Sequence, residues 1–257
     1  MSDPRLTPDP ALCTQQDPAQ IKVALADLCR GPGGPRDRQL IHGDGVTVLH
    51  QSVGWSYVQS LKDGYVGHLH TDALGPLTTL THRVTAAASH AYEAPDLKSP
   101  DRIALTFGSS LEVTSRTDHF AETALGYVPL PHLGPMDQTA TDPASIAAVF
   151  LGTPYLWGGN SRWGIDCSGL VQAALLACGI PCPGDSDMQQ SLGTPATGPF
   201  KRNDLIFWKG HVAIVSDAET IIHANAATMS TNYEPIETAK TRILSQGDGP
   251  ITAHRRL

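Results

Sequence analysis

The sequence predicts an α+β protein in three parts: two small β-barrels, then an α+β domain whose chemistry rests on one helix-borne cysteine and two strand-borne histidines. Three observations lead there. A segment of about 55 residues recurs within the first half of the chain. A cysteine, Cys167, opens a run with helical spacing of apolar residues. Downstream, two short β-branched runs each hold one histidine, His211 and His223.

Length and composition set the frame. At 257 residues the chain is longer than one compact core usually needs, so two or three domains are expected. A formal charge of -7 without a long Lys/Arg run excludes a phosphate-backbone partner, because nucleic-acid binding needs a basic face. No apolar stretch approaches the roughly 18 residues of a membrane span, and the start, Met1-Ser-Asp-Pro-Arg5, has no apolar leader core. The expectation is a cytosolic protein without a membrane partner. Five cysteines (Cys13, Cys29, Cys167, Cys178, Cys182) without CxxC spacing suggest neither a full disulfide framework nor a zinc site.

Residues 1–20, rich in Pro, Asp and Thr, read as an extended lead-in, and 21–28 read as a strand although a short helix fits locally. The repeat follows. Leu40-Ile-His-Gly43-Asp-Gly-Val-Thr-Val48, Trp55 and Gly64-Tyr65-Val66 lie over Leu105-Thr-Phe-Gly108-Ser-Ser-Leu-Glu-Val113, Phe120 and Gly126-Tyr127-Val128. Both copies end in Leu-Gly-Pro, at 74–76 and 133–135. Short β-branched and aromatic runs separated by glycine predict about five strands per copy, hence barrels over 21–76 and 77–135. They resemble the SH3-like modules of bacterial cell-wall proteins. In the overlay Asp44 meets Ser109, so the acid is read as dispensable to the barrel and open to function, against the plain alternative of a solvated turn aspartate.

The third domain, 136–257, begins with a linker into a short helix capped by Thr141 or Asp142, with Pro143 in its first turn and Ile146, Val149 and Phe150 on one face. From Cys167, the residues Leu170, Val171, Ala174, Leu175 and Cys178 recur at helical spacing, and Gly179 is a natural stop. Asp166 would cap this helix, and the free amides of its first turn would lower the Cys167 thiol pKa. Cys178 and Cys182 read as structural. A thiol nucleophile needs a base, most often histidine, and a polar group to orient it. The runs His211-Val-Ala-Ile-Val215 and Thr220-Ile-Ile-His223, joined by Ser216-Asp-Ala-Glu, predict a hairpin with its centre near 217. That register would set His211 and His223 opposite one another within one residue.

Tyr155-x-Trp-Gly-Gly, Asp166-Cys-Ser-Gly-Leu170, Asp204-Leu-Ile-Phe-Trp208, His211-Val-Ala-Ile-Val215 and Ile222-His-Ala224 together resemble the NlpC-type cysteine peptidases, papain-related enzymes that cut peptidoglycan peptides. The resemblance implies a papain-like catalytic domain with Cys167 as nucleophile, His211 as general base and His223 as orienting residue. It also implies Tyr155 beside the oxyanion, Asp166 and Ser168 at the substrate, and no metal or other cofactor. With two SH3-like modules ahead of it, the chain resembles the γ-D-glutamyl-L-diamino acid endopeptidases. That implies a small murein peptide, L-Ala-γ-D-Glu-diamino acid, as substrate in cell-wall recycling, with Asp44 and Tyr65 at its free amine. Ala213 and Asn203 stand where that family commonly has glycine. Two alternatives remain at this level: an amidase or acyltransferase on the same Cys-His scaffold, and a wall-binding protein with a degenerate enzyme domain.

Overall fold

A computed structural model describes residues 3–257. The chain divides into two compact units, Met1–Gln138 and Thr139–Leu257.

The first unit is built from short antiparallel strands. Its first sheet contains β1 (Asp17–Ile21), β2 (Leu25–Cys29), β3 (Arg36–Ile41), β4 (Gly45–Ser52), β5 (Trp55–Ser60), β6 (Val66–His70) and β7 (Leu74–Gly75), in the order β3-β2-β6-β5-β4-β1-β7. The second half contains β8 (His82–Val84), β9 (Ala88–Tyr92), β10 (Asp101–Thr106), β11 (Ser110–Leu111), β12 (Ser115–Arg116), β13 (Phe120–Thr123), β14 (Gly126–Pro129) and β15 (Leu133–Pro135). Its orders are β10-β9-β14-β13-β12 and β11-β8-β15. Position by position this is the first order again, with the counterpart of β4 broken into β11 and β12 by Glu112–Thr114. The second half closes over Val84, Ala91, Leu105, Leu111 and Val128.

Two expectations for this unit change. The lead-in ends early, because the strand starts at Asp17 and pairs with both β4 and β7. Even earlier residues are fastened to the unit: Val66 N donates to Arg5 O, and Thr14 N and Gln15 N both donate to Leu49 O. The Asp44–Ser109 mismatch does not mark a residue that the fold leaves unused. Ile41 N donates to Asp44 Oδ2 (2.9 Å) and Thr106 N donates to Ser109 Oγ (3.2 Å), so both side chains close the same turn. The preceding glycines, Gly43 and Gly108, share a left-handed φ of 90° and 85° that completes it.

The second unit is α+β. It contains α1 (Pro143–Ala148), β16 (Asn160–Ser161), β17 (Gly164–Ile165), α2 (Cys167–Ala177), α3 (Ser186–Gln189), β18 (Thr194–Pro195), β19 (Leu205–Trp208), β20 (His211–Val215), β21 (Thr220–Asn225), β22 (Ser230–Pro235), α4 (Ile236–Gln246) and β23 (Ala253–Arg256). The main sheet runs β18-β23-β19-β20-β21-β22. All four residues of β19 are buried, as expected of a strand covered on both faces. One cover is α4, whose Ile236, Ala239 and Ile243 pack on Ile206, Trp208, Ala213, Val215 and Ile221. Helix α2 buries Leu170, Val171, Ala174 and Leu175. Asp142 starts α1 as expected, but the buried face is Pro143, Ala144, Ala147 and Phe150, with Ile146 and Val149 only half-buried.

The second unit's last strand is held by a buried acid. Asp204 accepts from His254 Nε2 (2.6 Å), from Arg256 Nε (2.8 Å) and Nη2 (2.6 Å), and from Lys201 N (2.9 Å). The preceding residue, Asn203, has φ 73°, which explains why glycine would serve at that position and why asparagine is tolerated.

Candidate active site

Helix α2 begins where the sequence places it. Asp166 is its N-cap, accepting from Gly169 N (2.6 Å), and its other oxygen accepts from Gly158 N (2.9 Å), which ties the glycine-rich approach to the helix. Ser168 Oγ donates to the same carboxylate (3.0 Å). Asp166 and Ser168 therefore hold each other and the first turn. The fit between approach and helix is close: a Cβ on Gly169 would stand 2.5 Å from the Gly159 carbonyl oxygen. The helix ends at Cys178, with Gly179 in the left-handed region at φ 73°.

This framework delivers Cys167 to the strand that carries His211. The sulfur lies 4.0 Å from the carbonyl oxygen of Gly210, just before His211, and bonds the amide of Val212, just after it. Burial first, and then the nearby Asp166 carboxylate, push the thiol pKa up to about 12, against the pull of the Val212, Ser168 and Cys167 amides. The helix-start effect is present, as the sequence suggests, but it is outweighed.

His211 and His223 come together, though not as an opposed pair. Ile214 pairs with Ile222 and Val215 with Ile221, so the hairpin is centred one residue later than the run lengths suggest. The shift arises in the loop, where Ser216 N and Asp217 N both donate to Thr220 O, so Thr220 closes it rather than Glu219. His223 then lies diagonal to His211 on the same face, within reach of aromatic side chains. Their rings meet at 2.9 Å, His211 Nε2 to His223 Nδ1. Burial, then His223 and Arg242, push the His211 pKa down to about 3, so the ring is neutral and can accept a proton.

Three residues with no sequence signal of their own complete the group. Glu234 Oε2 lies 3.0 Å from His223 Nε2 and also accepts from Arg242 Nη2 (2.7 Å), while its Oε1 accepts from Arg242 Nε (3.0 Å). Burial alone would raise the Glu234 carboxyl, but the bonds from His223 and Arg242 hold it down to about 2. Asn225 Nδ2 lies 3.1 Å from the same His223 nitrogen. Only the register His223↔Asn232, which places β22 beside β21, could have pointed to Glu234.

The model of the NlpC/P60 family matches residues 152–244. The second unit is an NlpC/P60 domain. The first unit carries a bacterial dipeptidyl-peptidase Sh3 domain over residues 28–74. A gamma-D-glutamyl-L-lysine dipeptidyl-peptidase of Bacillus cereus is 34% identical over 108 residues, which are 38% of this chain and 32% of that protein. The matched stretch is thus about a third of that relative's length. Dipeptidyl-peptidase 6 of Lysinibacillus sphaericus is 25% identical over 77% of this chain and 83% of its own. The crystal structure of an NlpC/P60 family protein from Bacillus cereus superposes with a TM-score of 0.80 at 21% identity, over 93% of this chain and 99% of the other, which shows the shared fold.

Within the NlpC/P60 domain Tyr155 is half-buried, held by its amide on Met229 O (2.9 Å). Burial, then Cys167 and Asp166, push its phenol pKa upward, so it remains a hydrogen-bond donor. Cys178 is half-buried and Cys182 buried, where Cys182 Sγ accepts from Gln189 (3.4 Å). Asp44 and Tyr65 lie outside the NlpC/P60 domain, in the first unit. The Asp44 carboxylate is already paired with Lys62 at 2.6 Å, and Tyr65 is buried with Arg38 over its ring at 5.7 Å.

Proposed function

We propose that this chain is a cysteine peptidase that hydrolyses the γ-D-glutamyl–diamino acid amide of short murein peptides with a free N-terminal L-Ala. One observation carries it: Cys167, at the start of α2, is delivered to the strand bearing His211, whose ring bonds His223 at 2.9 Å. The Bacillus cereus and Lysinibacillus relatives, both named dipeptidyl-peptidases, support a dipeptide-releasing reaction.

In this reading His211 takes the proton of the Cys167 thiol as the sulfur attacks the γ-glutamyl carbonyl, and the S–H electron pair becomes the new C–S bond. The oxyanion is met by the Cys167 amide and the Tyr155 phenol. As the C–N bond breaks, His211 passes its proton to the departing amine. Water, deprotonated by His211, then releases the L-Ala-γ-D-Glu product and restores the thiol. A neutral thiol and neutral imidazole at rest fit this order, because the ion pair is formed only against substrate. The reaction requires no metal in this scheme.

The second half of the first unit is, in our reading, a further SH3-like barrel, supported by the repeated strand order and by the shared turns at Gly43 and Gly108. The thiols of Cys13, Cys29, Cys167 and Cys178 suit the reducing cytosol, where such peptides would be recycled.

Incubation with L-Ala-γ-D-Glu-diamino acid and with its N-acetylated copy, read by mass spectrometry, tests the proposal. Cleavage of the free peptide at the γ-glutamyl bond, with the acetylated one spared, is the expected result. Equal cleavage of both removes the free-amine requirement. Cleavage of neither removes the peptidase reading, and transfer of the acyl group to an added amine in place of water would identify an acyltransferase.

A further inference from the structure

Resting on the cysteine-peptidase reading, we propose that Glu234, clamped by Arg242, is a positioning residue: it keeps a proton on Nε2 of His223 and thereby makes Nδ1 of His211 the atom that receives the Cys167 proton.

Hydrogen-bond capacity assigns the proton on His223 Nε2. An ionised carboxylate only accepts, so the 3.0 Å contact between Glu234 Oε2 and His223 Nε2 is a bond only if that nitrogen carries hydrogen. Arg242 holds both Glu234 oxygens, at 3.0 and 2.7 Å, so the carboxylate cannot easily turn away. Asn225 competes for the same nitrogen. Its Nδ2 lies 3.1 Å from His223 Nε2 and would need a lone pair there. The Asn225 amide orientation is set elsewhere, by Thr228 N donating to its Oδ1 (3.0 Å), and its Nδ2 already has an acceptor in Asn232 Oδ1 (2.7 Å).

Charge decides between them. With a lone pair on Nε2, a carboxylate would face an acceptor at 3.0 Å beside a fully buried ring, where water cannot screen the repulsion. With hydrogen on Nε2, only the Asn225 contact is lost, and that amide keeps its other partners.

The rest follows along the pair. With the single ring proton of His223 on Nε2, its Nδ1 presents a lone pair, and His211 Nε2 at 2.9 Å donates to it. His211 Nδ1 is left as the base. When the thiol proton reaches Nδ1, the new imidazolium is stabilised through His223 by the Glu234 charge, and no proton need travel further. The charged groups that act on the His211 ring, besides His223 itself, are Arg242 on α4 and Glu234 on β22.

Tautomers are read directly from long-range ¹H–¹⁵N spectra of the histidine rings, assigned with His211→Gln and His223→Gln. Both rings are expected to carry their proton on Nε2 in the resting protein; a proton on Nδ1 of His223 overturns the proposal. Glu234→Gln is expected to lower kcat about 10- to 100-fold with KM changed by less than about twofold, and Glu234→Asp to recover part of the loss. Alkylation of Cys167 by iodoacetamide at neutral pH should slow by a similar factor. If Glu234→Gln changes neither kcat nor alkylation by more than about twofold, the proposal fails. If that variant does not fold, the wild-type spectrum still decides. Neither the spectra nor the alkylation uses a peptide, so a wild-type protein inactive on the tripeptide would sink the substrate reading and leave this test standing.

Discussion

Alanine in place of His211 is expected to lower kcat by at least about 10⁴-fold while KM stays within a few-fold, the pattern of a group that acts only in the transition state. The reason lies in the resting state. With the thiol pKa pushed to about 12, very little thiolate exists at neutral pH, so the sulfur depends on a base at the moment of attack. His211, its pKa held near 3, is neutral and ready to be that base. Steady-state kinetics on the murein tripeptide measure the effect. A loss of less than tenfold would mean that the thiol is ionised by something else and that the pairing with the His211 strand is incidental.

The second large effect is on folding. Asp204→Ala is expected to destabilise the second unit by roughly 3 kcal/mol, which would lower its melting temperature by about 10 °C. The carboxylate is 1% exposed and satisfies His254, Arg256 and the Lys201 amide, so its removal leaves a nearly buried histidine and an arginine without their acceptor. The estimate sits at the low end for a broken buried pair because Arg256 is 32% exposed and can turn to water. Burial alone would raise the Asp204 carboxyl, yet the bonds from Arg256 and His254 hold it down to about 2. Its folded pKa is therefore below the unfolded value of 3.8, so its stabilisation is fully present above that value and is lost as pH falls toward about 2. Thermal melts from pH 5 to pH 2 should show a steep acid decline in the wild type and a shallower one in the variant. Equal slopes would show that Asp204 contributes no acid-sensitive stability.

The parts legible in the sequence were those set by local rules. The helix from Cys167 was visible in its apolar spacing, its Asp166 cap and its Gly179 stop, and the strands at His211 and His223 were visible in their β-branched runs. What local rules could not give was register. One residue of difference in loop closure at Thr220 turned an opposed histidine pair into a diagonal one, and Glu234 became visible only once β22 was paired with β21. The thiol pKa was misjudged for a similar reason. The first-turn amides are a local feature, but the burial that outweighs them is tertiary. Asp44 shows a further limit of reading by comparison, since a mismatch between two repeats was taken as freedom when serine and aspartate close the same turn.

The central claim is that Cys167 forms the acyl-enzyme. Rapid-quench intact-mass spectrometry of the protein mixed with excess L-Ala-γ-D-Glu-diamino acid, followed by peptide mapping, tests it most directly. An L-Ala-γ-D-glutamyl adduct on Cys167, absent in Cys167→Ala and decaying at the turnover rate, is the predicted result. An adduct on Cys178 or Cys182, or undiminished turnover by Cys167→Ala, would contradict it.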